Sequence, residues 1–191
     1  MPLSPLKKYD VILASNSPRR QELLKKLIPK FKIQVVPIEE NYSKELAKDQ
    51  IAKYLSELKS AAYQPTKNQL IITADTIVSI GNEVLGKPKD YNDALEMLMK
   101  LSGKSHLVTT AVSIKTTEKL ITFSDTTEVT FYKLTSQEME QYITNCQPFD
   151  KAGSYGIQEW MGYFGIKKMN GDYYNVMGLP LHKLYRALKK L

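Results

Sequence analysis

The sequence predicts an α/β fold in which helices flank a mixed β-sheet. Three observations predict it. Apolar runs at 11–14 and 70–74 have the length and composition of buried strands. Longer stretches between such runs repeat their apolar residues at helical spacing. Turn residues between extended segments, as at Gly81-Asn82 and Asn170-Gly171-Asp172, imply hairpins, so the strands cannot all be parallel.

Each element can be justified in turn. The run at 11–14 is the first strand, and Ser15-Asn16-Ser17-Pro18 ends it. Ser17 can cap a helix whose first residue is Pro18, where a missing N–H costs nothing. Leu23, Leu24 and Leu27 give that helix its apolar stripe. Residues 31–36 read as a second strand stopped by Pro37, and 38–41 as a polar loop. A long helix is expected over 44–63, with Ile51, Leu55, Leu58 and Ala62 on one face. The strand at 70–74 has Asp75 at its end; 77–80 continues extended, turns at Gly81-Asn82 and returns to Gly86-Lys87-Pro88. The next helix begins at Asn92, places Leu95, Leu98 and Leu101 inside and ends at Ser102-Gly103. Alternation over 106–115 and 120–132 predicts two long antiparallel strands joined near Thr117-Glu118. A helix over 136–145, a loop over 149–158, a hairpin of 163–169 with 173–177 and a helix over 181–188 complete the chain.

The 191 residues, 42% of them hydrophobic, suffice for one sizeable domain or one domain with two lobes around a cleft. No repeat or linker divides residues 1–191. A single cysteine, Cys146, excludes an internal disulfide and a cysteine-based metal site. The longest apolar runs are too short for a membrane span or the core of a signal peptide, so a cytoplasmic protein with no membrane partner is expected. The net charge of +7 favours anionic partners, but the lysines are scattered, and no nucleic-acid partner is expected.

The residues that can carry chemistry point to phosphate. Ser15 and Ser17 offer hydroxyls beside a helix N-terminus, whose unpaired N–H groups favour anions. Arg19 and Arg20 add guanidinium forks suited to phosphate oxygens. The same residues also read as a helix cap followed by surface arginines. No Gly-x-x-x-x-Gly-Lys-Ser/Thr phosphate loop occurs. Asp75, at the end of a buried strand, suits a divalent cation or proton abstraction from water, or else a turn cap. Glu39 and Glu40 form a carboxylate pair that supplies a metal ligand or is simply solvated. Lys59 and Lys87 are within the pool of phosphate-binding cations, with Lys87 constrained between Gly86 and Pro88. His106 and His182 have no metal-ligand spacing and read as structural. Trp160 and Tyr163 suit core packing or stacking on a base.

Six blocks in order resemble the Maf family: 13–24 (Leu-Ala-Ser-Asn-Ser-Pro-Arg-Arg-Gln-Glu-Leu-Leu), 74–78 (Ala-Asp-Thr-Ile-Val), 85–88 (Leu-Gly-Lys-Pro), 101–112 around Leu101-Ser102-Gly103 and Thr109-Thr110-Ala111-Val112, 150–158 (Asp-Lys-Ala-Gly-Ser-Tyr-Gly-Ile-Gln) and 176–180 (Val-Met-Gly-Leu-Pro). Together they span nearly the whole chain. The resemblance implies an elongated mixed sheet with two lobes around a cleft, as in inosine triphosphate pyrophosphatases. It implies hydrolysis of a nucleoside triphosphate to the monophosphate and pyrophosphate, a Mg²⁺ or Mn²⁺ ion and a homodimer. Carried over residue by residue, it makes Asp75 the general base, Asp75 and Glu40 the metal contacts, and Ser15, Arg20, Lys59 and Lys87 the phosphate contacts. Arg19, Thr76 and Gln158 resemble the positions that select dTTP and UTP. Glu159-Trp160-Met161-Gly162 departs from the small, glycine-rich sequence expected after Gln158. A nucleotide-binding regulator of septum formation with little turnover is the alternative.

Overall fold

The computed structural model describes residues 4–43 and 45–191. Its elements run β1 (Asp10–Leu13), α1 (Pro18–Leu27), β2 (Lys32–Ile33), α2 (Lys48–Ala61), β3 (Gln69–Ile80), β4 (Glu83–Leu85), α3 (Tyr91–Leu101), β5 (Ser105–Lys115), β6 (Leu120–Phe131), α4 (Ser136–Cys146), α5 (Trp160–Phe164), β7 (Ile166–Asn170), α6 (Tyr173–Val176) and α7 (Leu181–Leu188). The sheet order is β2-β1-β3-β5-β6-β7, with β4 also paired to β3. β1 is parallel to β2 and β3, whereas β3–β4 and β6–β7 are antiparallel, so the sheet is mixed as expected. Among the described residues no helix is long and apolar enough to cross a membrane.

The chain forms two compact units. The first comprises residues 1–75, 110–125 and 178–191, and the second 76–109 and 126–177. In the first, α1 packs on α7. Ile12, Ala14, Ile71 and Tyr63 form a small apolar cluster there. Helix α2 is held against β3 by a buried hydroxyl network. Ser56 Oγ lies 2.9 Å from Ser113 Oγ, and Thr73 Oγ1 donates to Ser56 O at 2.8 Å. Lys115 Nζ donates to Ser60 O and Tyr63 O at 3.2 and 2.6 Å, adding a charged donor to the carbonyls where α2 ends. In the second unit Leu98, Leu101, Val129, Phe131, Tyr142 and Met161 belong to one larger core. Helix α4 begins with a capping box: Thr135 accepts from Glu138 N while the Glu138 carboxylate accepts from Thr135 N.

Several elements differ from the sequence expectation. β2 covers only Lys32–Ile33, because the Tyr63 hydroxyl donates to Gln34 O and accepts from Val36 N, replacing a strand partner beyond Ile33. Helix α2 starts at Lys48; Lys44, the expected start, lies outside the described residues. Its buried face is Ile51, Ala52, Leu55, Ser56 and Ser60, while Ala62 is exposed. Helix α3 starts at Tyr91, capped by the Asp90 side chain, and buries Ala94 and Met97 where Leu95 was expected. The expected hairpin of 163–169 with 173–177 is absent. Instead α5 precedes β7, and Asp172 Oδ2 accepts from Asn175 N at 2.9 Å to start α6. Asn175 is fully buried and donates to Val108 O and Thr127 Oγ1, an anchoring that helix α6 permits.

Candidate active site

The first unit gathers six of the residues singled out in the sequence. The Ser15 to Arg20 segment follows β1, and Ala14 N donates to Ile72 O, which holds this turn beside β3. Ser15 is buried, and its Oγ accepts from Ser17 N at 3.2 Å. Ser17 in turn caps α1 by accepting from Arg20 N. The cap reading and the phosphate reading of this segment are therefore compatible: the hydroxyls shape the turn, and Arg19 and Arg20 lie in the first turn of the helix.

Arg20 is not a plain surface arginine. Its Nε donates to Gly178 O and its Nη1 to Ala74 O, both at 2.9 Å. Burial lowers the pKa of its guanidinium and the Asp75 carboxylate raises it; Arg19 lowers it and Glu40 raises it by smaller amounts. Arg20 thus ties the segment entering α7 to the backbone next to Asp75.

Asp75 does not end its strand. β3 runs without interruption from Gln69 to Ile80, with Asp75 inside it and 7% exposed. A carboxylate can stand there because Lys59 Nζ lies 2.5 Å from Asp75 Oδ1. The same ammonium lies 3.1 Å from Glu40 Oε2, on the loop before α2. Simple periodicity explains the pairing. Thr73 and Asp75 share one face of β3, since strand side chains alternate, and Ser56 and Lys59 share one face of α2, three residues apart. The contact between Ser56 and Thr73 places Lys59 one step further along, against Asp75. Glu39 turns elsewhere, accepting from Asn41 Nδ2 at 3.2 Å.

Glu40 and Asp75 fit a hard divalent cation by donor chemistry: two carboxylates converge on one positive centre, here the Lys59 ammonium. They could hold such an ion together with substrate phosphate oxygens.

The second unit carries Thr76, Lys87 and Gln158. Thr76 is the next residue of β3 and is half-buried. Lys87 is exposed, next to buried Pro88. Gly86 O accepts from Gly153 N at 3.0 Å, so the Lys87 loop is braced by the loop leading to Gln158. Gly153 has φ 70°, and a Cβ there would fall 2.9 Å from Val78 Cγ1, so glycine is required on both counts. Ser154 follows with φ 60°, fully buried, its Oγ without a hydrogen-bond partner among the described residues. A non-glycine residue in this conformation marks strain, which collects at functional sites.

Sequence reasoning missed the charges around Gln158. Lys151 is buried, and its Nζ lies 2.7 Å from Asp150 Oδ1 and 2.9 Å from Glu159 Oε1. Tyr142 OH donates to Glu159 Oε2 at 2.7 Å and accepts from Gly156 N at 2.9 Å. Lys151 lies within the 150–158 block, but its partner Glu159 lies eight residues on across an irregular segment of short 3-10 turns, where neither helical nor strand periodicity relates the two. The two histidines have other roles. His106 is buried, with Nε2 2.7 Å from Tyr155 OH and its ring edge-on to Phe131, and burial pushes its pKa down to about 4. His182 is 3.7 Å from Asp125 in the first unit. Trp160 packs on Phe164, whereas Tyr163 is 80% exposed. Burial raises the pKa of Cys146, which favours the inert thiol over the thiolate.

The chain is 50% identical to the dTTP/UTP pyrophosphatase of Phocaeicola vulgatus, over 99% of this chain and 100% of the relative. It is 49% identical to the dTTP/UTP pyrophosphatase of Flavobacterium psychrophilum, over 93% and 92% of the two chains. A solved HAM1 protein from Coxiella burnetii shares the fold: TM-score 0.53 at 12% identity, covering 96% of this chain and 100% of that one. The Maf-like protein family model matches residues 10–191, and the chain belongs to the Maf family.

Proposed function

We propose that this protein is a nucleoside triphosphate pyrophosphatase that hydrolyses dTTP and UTP to the monophosphate and pyrophosphate. One observation carries the reading: in a chain half-identical to dTTP/UTP pyrophosphatases along its length, Lys59 holds Asp75 and Glu40 together beside the half-buried Arg20. Asp75 takes the proton of an attacking water. The bond between the α-phosphorus and its bridging oxygen breaks, and pyrophosphate leaves with the electron pair. Lys59 fixes the Asp75 carboxylate through Oδ1, and Asp75 Oδ2 makes no hydrogen bond among the described residues, which suits it to accept that proton. Ser15, Arg20, Lys59 and Lys87 offset the charge that grows on the leaving pyrophosphate. Glu40 and Asp75 would hold Mg²⁺ or Mn²⁺, which polarises phosphate oxygens and acidifies water when bound. Arg19, Thr76 and Gln158 select the base. The enzyme is read as a cytoplasmic homodimer.

The test is pyrophosphate release from a panel of canonical and modified nucleoside triphosphates with Mg²⁺ or Mn²⁺. The expected result is turnover of dTTP and UTP ahead of purine triphosphates. Nucleotide binding without pyrophosphate release would favour the regulatory alternative.

A further inference from the structure

The proposed role of Gln158 raises a chemical question. A glutamine amide offers a donor at one end and an acceptor at the other, and its value to specificity depends on which end is presented. Here one end is committed. Gln158 Nε2 faces Glu159 Oε1 at 3.5 Å, a long contact but one with a single sensible orientation: a carboxylate only accepts, so a flipped amide would set oxygen against oxygen. Gln158 Oε1 is enclosed and has no hydrogen-bond partner among the described residues.

Glu159 is itself fixed. Its Oε1 lies 2.9 Å from Lys151 Nζ and its Oε2 accepts from Tyr142 OH at 2.7 Å. Tyr142 is fully buried and Lys151 nearly so, and Tyr142 also accepts from Gly156 N. Gly156 leaves room for the arrangement: a Cβ there would fall 2.8 Å from Glu159 Cδ and 3.0 Å from Gln158 Nε2. The amide is thus oriented by a chain that runs back through Glu159 to two buried side chains of the same unit.

We infer that Glu159, anchored by Lys151 and Tyr142, is a positioning residue for base selection: it holds the Gln158 amide with Nε2 turned inward, leaving Oε1 to accept a donor N–H of the substrate base. This rests on the functional reading above. An enclosed carbonyl without a partner gains from a small rotation toward such a donor. Uracil and thymine carry an N–H at position 3 of the ring; cytosine carries a bare acceptor nitrogen there. A presented oxygen therefore favours the first two and rejects the third. Glu159 stands where the sequence departs from the small residues expected after Gln158.

The test compares kcat/KM for UTP and CTP in the full-length protein and in Glu159→Met, Glu159→Gln and Tyr142→Phe. Glu159→Met is expected to lower the UTP-to-CTP ratio about tenfold, chiefly by raising KM for UTP, because the amide is then free to turn. Glu159→Gln is expected to keep most of the ratio, since its carbonyl still accepts from Gln158. Tyr142→Phe is expected to lose roughly threefold. An unchanged ratio in folded Glu159→Met, or an equal loss for both nucleotides, would overturn the inference. If Glu159→Met does not fold, Tyr142→Phe decides on the same criterion. If the parent protein releases no pyrophosphate, the functional reading fails by itself. The variants are then scored by calorimetric affinity for UMP against CMP, where unchanged discrimination overturns the inference.

Discussion

The two units each hold a sheltered lysine between two carboxylates, on very different supports. In the first, Lys59 joins Asp75 and Glu40, with side chains 17%, 10% and 51% exposed. In the second, Lys151 joins Glu159 and Asp150, at 8%, 24% and 53%. Both lysines thus pair one sheltered and one open carboxylate. Lys59 and Asp75 stand on a helix and a strand. Lys151 stands between two short 3-10 turns, two residues before Gly153 and three before Ser154, both at positive φ, and Glu159 lies just before α5. On regular elements a charge cluster can face reacting groups, because the scaffold holds its geometry without it. In an irregular segment the charge cluster is itself a large part of what holds the backbone.

This difference can be broken by experiment. The largest effect is expected from Asp75→Asn, which should lower pyrophosphate release about a thousandfold with the fold retained. A rate near that of the parent protein would remove Asp75 from the chemistry. Next, Lys59→Arg, which keeps a cation on Asp75 but shifts its position, should lower turnover about a hundredfold with a modest change in stability. Lys151→Met should do the reverse, costing about 2–3 kcal/mol in urea unfolding, below the usual figure for a broken buried pair because Asp150 is half open to water. Matching losses in both variants would mean that the two clusters do the same work.

Acid sharpens the comparison in the second unit. The folded pKa of His106 is lowered to about 4 by burial, against 6.5 for the free side chain. Between these values the unfolded chain binds the extra proton, so the stability associated with neutral His106 is complete above about pH 6.5 and lost as pH falls toward 4. The change is on the order of 2–3 kcal/mol, and His106→Gln should flatten it in urea titrations across that range. The smallest effect is expected from Ser56→Ala, at about 1 kcal/mol, with a slight fall in turnover because α2 then registers less firmly against β3. Unfolding and turnover measured on one sample would separate the two contributions.

Much of the first unit was legible in the sequence because its geometry is periodic. The apolar run of β1, the Ser17 cap and Pro18 place the start of α1 within a residue, and alternation along β3 places Asp75 on the same face as Thr73. The expectation that Asp75 would end its strand failed because a charge inside a strand looks like a stop until its partner is known. The second unit was less legible. Tyr173 to Val176 reads as extended by composition, yet buried Asn175 and the Asp172 cap make it a helix. Such a choice depends on partners more than forty residues away in sequence, Val108 and Thr127.

By itself the sequence determined the mixed α/β class, the order of most elements, the family and the candidate residues, since each depends on local pattern or on motifs in order. The tertiary structure alone decided which charges meet. Lys59 meets Asp75 and Glu40, Arg20 meets the carbonyls of Ala74 and Gly178, and Lys151 and Tyr142 meet at Glu159. A buried charge must find a partner wherever packing places one, and packing brings together residues whose spacing along the chain carries no signal.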